Sequence, residues 1–319
     1  MSGVELVVLG TASQAPTRTR NHNGYLLRWD REAILFDPGE GTQRQFLHAG
    51  VAAVRTTRVC ITHLHGDHCL GLPGILQQRA LDRAEAPVPV HFPASGLPYV
   101  ERLCDASIGR RVEVSLDPVP EAGGVVAEAP LRISALPLAH RVPTLGWRVD
   151  EPARVHLVPE RLEAAGISGP DAGRLLDAGT LTVDGRTVEL TEVSEVRSGR
   201  SVAVVMDTGV CDEAVRLAEG VDVLLCEATY LESEVSLAVE YGHLTARQAA
   251  TIAREAGAGL LVLTHFSDRY PDLAGHRREA GEVFPDVVVA EDLQVVEVRA
   301  SRPPGAPGTP GPPGSRSAP

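Results

Sequence analysis

Lysine is absent from this chain of 319 residues, so every basic side chain other than histidine is an arginine. Acidic residues outnumber basic ones, the formal charge is −12 and the pI is near 5.4. A chain this acidic is excluded as a general polyanion binder, because phosphate binding rests on Lys and Arg, unless its positive charge is concentrated locally. The missing lysine does not exclude phosphate recognition, since the arginine fork fits phosphate oxygens. No apolar run reaches the roughly 18 residues of a membrane span, so no membrane association is expected. The opening MSGVELVVLG reads as a strand rather than a signal peptide, and a cytoplasmic location is the simplest expectation. The five cysteines, Cys60, Cys69, Cys104, Cys211 and Cys226, are scattered, odd in number and free of CxxC spacing. They suggest neither a disulfide framework nor a zinc finger.

What is present is an alternation of short Val/Leu/Ile runs with helical patterns. The runs predict strands over 4–9, 24–29, 33–37, 57–61, 131–136, 201–206, 222–226 and 259–264, and helices over 71–83, 211–219 and 245–256. Strands cluster early and then mix with helices, which predicts a layered α/β architecture with mixed sheets. Residues 150–200 are rich in turn signals, among them Gly169-Pro170 and Asp184-Gly185, and are expected to form an inserted arm. Residues 301–319 contain 7 Pro and 4 Gly, a composition that cannot bury a core and predicts a disordered tail. The expected organisation is one catalytic domain over 1–300, with the arm at about 150–200, followed by that tail.

Chemistry is concentrated in Ile61-Thr62-His63-Leu64-His65-Gly66-Asp67-His68. His63 and His65 leave extended chain on the same side and can grip one ion. Asp67 and His68 lie where the chain turns and can face a second. Imidazole and carboxylate at this density suit zinc or a neighbouring divalent metal. Three further metal-competent residues each cap an apolar run: His140 after Ile133–Ala139, Asp207 after Val202–Met206, and His265 after Leu260–Thr264. Asp207, with two carboxylate oxygens, is the natural bridge between two metals. His22, His48, His91, His156 and His276 have no such context and are read as ordinary surface or packed residues.

The HxHxDH motif with later His, Asp and His at strand ends resembles the metallo-β-lactamase superfamily. Finer features are similar to the ribonuclease Z family within it: Leu9-Gly10-Thr11-Ala12-Ser13, Arg20-Asn21, Phe36-Asp37-Pro38-Gly39-Glu40-Gly41-Thr42-Gln43, Glu227-Ala228-Thr229, Gly242-His243-Leu244-Thr245, and Thr264-His265-Phe266-Ser267-Asp268-Arg269-Tyr270. The resemblance implies an αββα sandwich with an inserted exosite arm. It implies two Zn2+ per subunit, other divalent metals being compatible. His63, His65 and His140 would hold one ion, Asp67, His68 and His265 the other, and Asp207 would bridge them.

The same resemblance implies removal of the 3′ trailer from precursor tRNA, giving a 3′-hydroxyl on the tRNA and a 5′-phosphate on the trailer. Asp67 would orient and deprotonate the attacking water, and His243, held by Glu227, would protonate the leaving oxygen. Arg20, Ser267 and Arg269 become candidate substrate contacts, with Arg18 and Arg44 beside them. A homodimer is implied, with one subunit's arm serving its partner's site. The arm carries Gly169-Pro170 and following glycines like the family's exosite. It departs in charge, with 10 Asp/Glu against 6 Arg over residues 150–200, where the family's arm is basic. Two other readings stand beside this one: a hydrolase of the same fold acting on small phosphodiesters or other esters, and a non-catalytic RNA-binding protein.

Overall fold

Leu6 to Leu9 is apolar at every position, the pattern of a strand covered on both faces. In the computed structural model, which describes residues 3–300 apart from 110, 111 and 198, this run lies in β1 (Glu5–Gly10). It forms an antiparallel meander with β2 (Gly24–Trp29) and β3 (Glu32–Phe36). Three parallel additions follow, β4 (Arg58–Cys60), β5 (Val88–Pro93) and β6 (Val114–Val119). Their crossovers carry α1 (Thr42–His48), α2 (Gly66–Cys69), α3 (Leu72–Leu81) and α4 (Leu97–Cys104).

A second sheet begins with β7 (Gly124–Ala127), β8 (Arg132–Pro137) and β9 (Leu145–Asp150). The chain then leaves it through β10 (Arg154–Leu157), α5 (Pro159–Ala164), α6 (Pro170–Ala178), β11 (Thr180–Val183), β12 (Arg186–Glu189), α7 (Leu190–Val193) and β13 (Ser194–Arg197). Here β10 pairs only with β13 and β11 only with β12, and Ile167, Leu175, Val188 and Val193 form a small core of their own. Back in the sheet, β14 (Ser201–Val205) lies beside β9, and β15 (Val223–Glu227), β16 (Leu260–Thr264) and β17 (Val287–Val289) continue in parallel. Between them lie α8 (Asp212–Leu217), α9 (Val235–Tyr241), α10 (Ala246–Ala256) and α11 (Ala274–Gly281). Finally β18 (Val295–Glu297) returns to the first sheet, antiparallel to β1.

The period-two alternation of strands builds four layers. Leu6, Val8, Tyr25, Leu27, Ile34 and Phe36 face Ile133, Trp147, Val149, Val202, Val204 and Leu225 across the gap between the sheets. Their neighbours Val7, Leu9, Leu26 and Leu35 point outward onto Phe46, Leu72, Ile75 and Val100 of the first helical layer. Ala203, Val205, Leu224 and Leu263 point the other way, onto Ala249, Ile252 and Ala253 of α10. The result is the αββα sandwich that the sequence implied. Each predicted strand is present within one or two residues; of those not predicted, β6, β7, β17 and β18 lie at sheet edges, while β5 and β9 are six-residue interior strands whose apolar runs are interrupted by Pro89 and His91 and by Gly146 and Arg148. Among the described residues no helix is long and apolar enough to cross a membrane. The expected disordered tail, 301–319, lies outside the described residues.

A candidate metal centre

Five of the parallel strands deliver a polar residue to one rim. Asp37 follows β3, His63 and His65 follow β4, Asp207 follows β14, Glu227 ends β15 and His265 follows β16. Asp37, Asp207 and His265 have φ of 44°, 47° and 60°, a left-handed conformation that typically costs about 1–3 kcal/mol per non-glycine residue and persists where surroundings impose it. Two glycines bring the loops together. A Cβ on Gly39 would lie 2.2 Å from the Asp67 carbonyl oxygen, and one on Gly71 2.0 Å from that of Gly39. This close approach is why the Asp-Pro-Gly segment after β3 can seat against the histidine loop.

His63, His65, Asp67, His68, His140, Asp207 and His265 converge. One suitable ligand atom from each of His63, His65, His140 and Asp207 lies within 4.8 Å of the others, and the same holds for Asp67, His68 and His265. Asp207 stands between them, with Oδ2 at 3.5 Å from His63 Nε2 and Oδ1 at 3.1 Å from His265 Nε2. The donor set fits divalent metal on two grounds. His140 Nε2, His265 Nε2 and Asp207 Oδ1 are buried without a hydrogen-bond partner, and an unsatisfied buried polar group typically costs about 1–3 kcal/mol. The opposite ring nitrogens are already engaged: His140 Nδ1 donates to the Gly242 carbonyl at 2.8 Å, His68 Nδ1 to Asp37 at 2.8 Å, and His265 Nδ1 meets the Thr229 hydroxyl at 2.7 Å. Anchoring one nitrogen in this way orients the other as a ligand.

The electrostatics agree. Burial pushes the His63 imidazole well down, and burial also lowers His65 and His140; neutral imidazole is the form that binds metal. Burial opposes charge on Asp207, yet His265, His68, His243 and His63 outweigh it and hold the carboxyl well below its usual range. Burial likewise opposes charge on Asp67, where His68 and His265 prevail and keep the pKa far down. His68 is driven up by Asp207, Asp67 and Asp37 against its own desolvation. Three carboxylates therefore draw positive charge to this point.

The centre opens into a cavity of about 620 Å³ lined by His65, Asp67, His140, Asp207, His243 and His265 together with Tyr230, Ser267 and Arg269. His243 is placed by Gly242-His243-Leu244-Thr245. Gly242 ends α9 at φ 72°, Leu244 is fully buried, and Thr245 caps α10 with Gln248 in a capping box. His243 Nδ1 donates to Glu227 Oε1 at 3.0 Å. Burial disfavours its charge, but Glu227 and Asp207 overcome that and raise its pKa to about 9.

The predicted substrate contacts separate. Arg269 lines the cavity, with its guanidinium 5.1 Å over the Tyr230 ring, Nε donating to Ser267 Oγ at 3.1 Å and Nη1 paired with Glu234 at 2.6 Å. Arg20 instead donates to the Ser267 backbone carbonyl at 3.0 Å and so braces the wall. Arg18 and Arg44 are exposed and lie outside the lining.

Asp37, Thr62, Thr229 and Glu234 were given no site role from the sequence, although each touches a site residue. Asp37 carries the signal that marks Asp207 and His265, a metal-competent residue directly after an apolar run; the threonines carry none. His22, His48 and His156 are outside the cluster, while His91 and His276 are packed in the interior with pKa values lowered to about 4 by burial.

The metallo-beta-lactamase superfamily pattern matches residues 17–146, and the beta-lactamase superfamily domain pattern matches 185–266. Ribonuclease Z of Nocardia farcinica is 56% identical over 95% of this chain and all of its own length. Ribonuclease Z of Salinispora arenicola is 54% identical over 96% of this chain and all of its own. The crystal structure of human tRNase Z, short form, is 27% identical and covers 92% of this chain and 99% of its own, with a TM-score of 0.67.

Proposed function

This chain belongs to the ribonuclease Z family, and on that premise we propose that it is a metal-dependent endonuclease that removes the 3′ trailer from precursor tRNA. The products are a tRNA with a 3′-hydroxyl and a trailer with a 5′-phosphate. The observation that carries the reading is the set of unpaired buried acceptors, His140 Nε2, His265 Nε2 and Asp207 Oδ1, aimed into one cavity. We assign one zinc ion to His63, His65 and His140 and a second to Asp67, His68 and His265, with Asp207 shared. When bound, the ions lower the pKa of water and stabilise charge on the phosphoryl oxygens.

The other tasks fall to side chains. Asp67, ionised and on the cavity wall, orients the attacking water and accepts its proton. His243 has Nδ1 committed to Glu227, so Nε2 is left for substrate. With a pKa near 9 it carries a proton at neutral pH and can give it to the departing 3′-oxygen. Ser267 and Arg269 meet the RNA backbone at the mouth, and the Arg269 guanidinium must exchange Glu234 for phosphate. The reading extends to one catalytic unit over 1–300 with an exosite arm at 150–200, a homodimer, and work in the cytoplasm.

One observation favours a smaller substrate. Each of the five arginines of 150–200 whose side chains are described, Arg154, Arg161, Arg174, Arg186 and Arg200, is paired with an acidic residue. The test presents zinc-loaded protein with precursor tRNA bearing a 3′ trailer and, separately, with a small phosphodiester. A cut directly after the discriminator base supports the proposal. Hydrolysis of the small ester alone supports the rival, and binding without cleavage supports a non-catalytic RNA-binding protein.

A further inference from the structure

Glu227 Oε1 accepts the Thr208 amide at 2.7 Å and His243 Nδ1 at 3.0 Å, while Oε2 accepts the Thr229 hydroxyl at 2.5 Å. A hydroxyl has one hydrogen. Once it is given to the carboxylate, Thr229 Oγ1 can only accept, and His265 Nδ1 lies 2.7 Å away. The proton of neutral His265 must then sit on Nδ1, which leaves Nε2 bare. Consistent with this, His265 Nε2 has no hydrogen-bond partner although Asp207 Oδ1 is only 3.1 Å from it. Glu227 and Thr229 are 0% and 3% exposed, a setting in which solvent is a poor substitute partner for either.

We propose that Glu227, acting through the one-way hydrogen bond of Thr229, fixes the tautomer of His265 and thereby sets the affinity of the metal site that His265 serves. Glu227 is then a positioning residue twice over: it holds His243 directly and a metal ligand through a threonine. This rests on the assignment of His265 as a ligand. The opposite sheet repeats the construction. Asp37 Oδ2 accepts both His68 Nδ1 and the Thr62 hydroxyl at 2.8 Å, and Thr62 Oγ1 stands 3.0 Å from His63 Nδ1. Each sheet thus ends in a buried carboxylate that orients one histidine directly and a second through a threonine hydroxyl.

The directionality makes the test specific. In Glu227→Gln the amide oxygen must stay toward Thr208 and His243, which both donate, so the NH2 faces Thr229. Thr229 then turns its hydrogen onto His265 Nδ1, and the proton moves to Nε2, where it blocks the ligand lone pair. Thr229→Val removes the relay outright, and Thr229→Ser keeps it. Zinc titration of the full chain against a chromophoric chelator, with circular dichroism to confirm folding, is the measurement. Glu227→Gln and Thr229→Val should weaken one zinc equivalent by about 10–100-fold, the usual effect of removing a partner of a metal-bound histidine. Thr229→Ser should stay close to the wild type. Wild-type affinity in both Glu227→Gln and Thr229→Val, alongside a lost equivalent in His265→Ala, overturns the relay and leaves the ligand assignment standing. Wild-type affinity in His265→Ala overturns the assignment and the relay together. Should the variants misfold, 15N NMR of histidine-labelled zinc-free wild type, at a pH where His265 is neutral, must show its Nδ1–H form; the Nε2–H form overturns the proposal.

Discussion

Replacing Asp37 probes how the centre is built without touching a proposed ligand. Asp37 is fully buried after β3; Oδ1 accepts the Thr62 amide at 2.7 Å, and Oδ2 accepts the Thr62 hydroxyl and His68 Nδ1 at 2.8 Å. Alanine strands three donors. The hydroxyl can rotate toward His63, but the amide and the imidazole N–H cannot, and two unsatisfied buried donors cost about 2–6 kcal/mol together. Holding alanine at φ 44° adds about 1 kcal/mol. Against a typical domain stability of about 5–15 kcal/mol, Asp37→Ala should leave the zinc-free protein marginal. Asp37→Asn keeps one oxygen for the Thr62 amide and tolerates the left-handed backbone, so the fold should survive. Its NH2 faces His68 Nδ1 as a donor facing a donor, and zinc affinity should fall about 10–100-fold. Urea unfolding of zinc-free protein, paired with zinc titration, reads both effects. A loss below about 1 kcal/mol in Asp37→Ala, a value more typical of an exposed site, together with unchanged zinc uptake in Asp37→Asn, would refute this reasoning.

Three further expectations concern the catalytic side. His243→Ala should retain bound metal yet lose most turnover; undiminished turnover places the acid elsewhere. In zinc-free protein His243 titrates near 9 when folded, against an ordinary value of 6.5, so its charge stabilises the fold fully below about pH 6.5 and that contribution fades as pH rises through 9. The stability gap between wild type and His243→Ala should narrow over that window, and a gap that widens contradicts the assignment of Glu227 and Asp207 as the groups holding the charge. Arg269→Ala should flatten the dependence of log(kcat/KM) on log[salt] by about 0.7–1 unit, one phosphate contact's worth; an unchanged slope removes Arg269 from the RNA path.

The fold was legible because its strands are apolar over several consecutive residues and its helices are punctuated by turn residues. The sandwich partners were not, since the inward and outward faces of a strand such as Leu6–Leu9 are both apolar. The metal-competent residues could be read because polar groups capping apolar strands stand out, and the structure brings the seven together, five of them lining one cavity. Asp37 carried that signal and was passed over because a lone acid before Pro-Gly also reads as a turn. Thr62 and Thr229 could not be given a site role, because the groups they serve are brought to them only by the fold: Asp37 lies 25 residues from Thr62 and His265 36 residues from Thr229. For Arg20, the sequence pattern did not show that one guanidinium nitrogen donates to the Ser267 carbonyl.

The central claim is that seven side chains from both sheets hold the metal that makes this chain a tRNA 3′-endonuclease. Zinc titrated into metal-free protein, with cleavage of a trailer-bearing precursor tRNA followed at each step, tests it most directly. The rate should rise from zero to a plateau at two equivalents per chain, with every cut directly after the discriminator base. Full cleavage in excess chelator, or a plateau reached without any cut at that position, would contradict it.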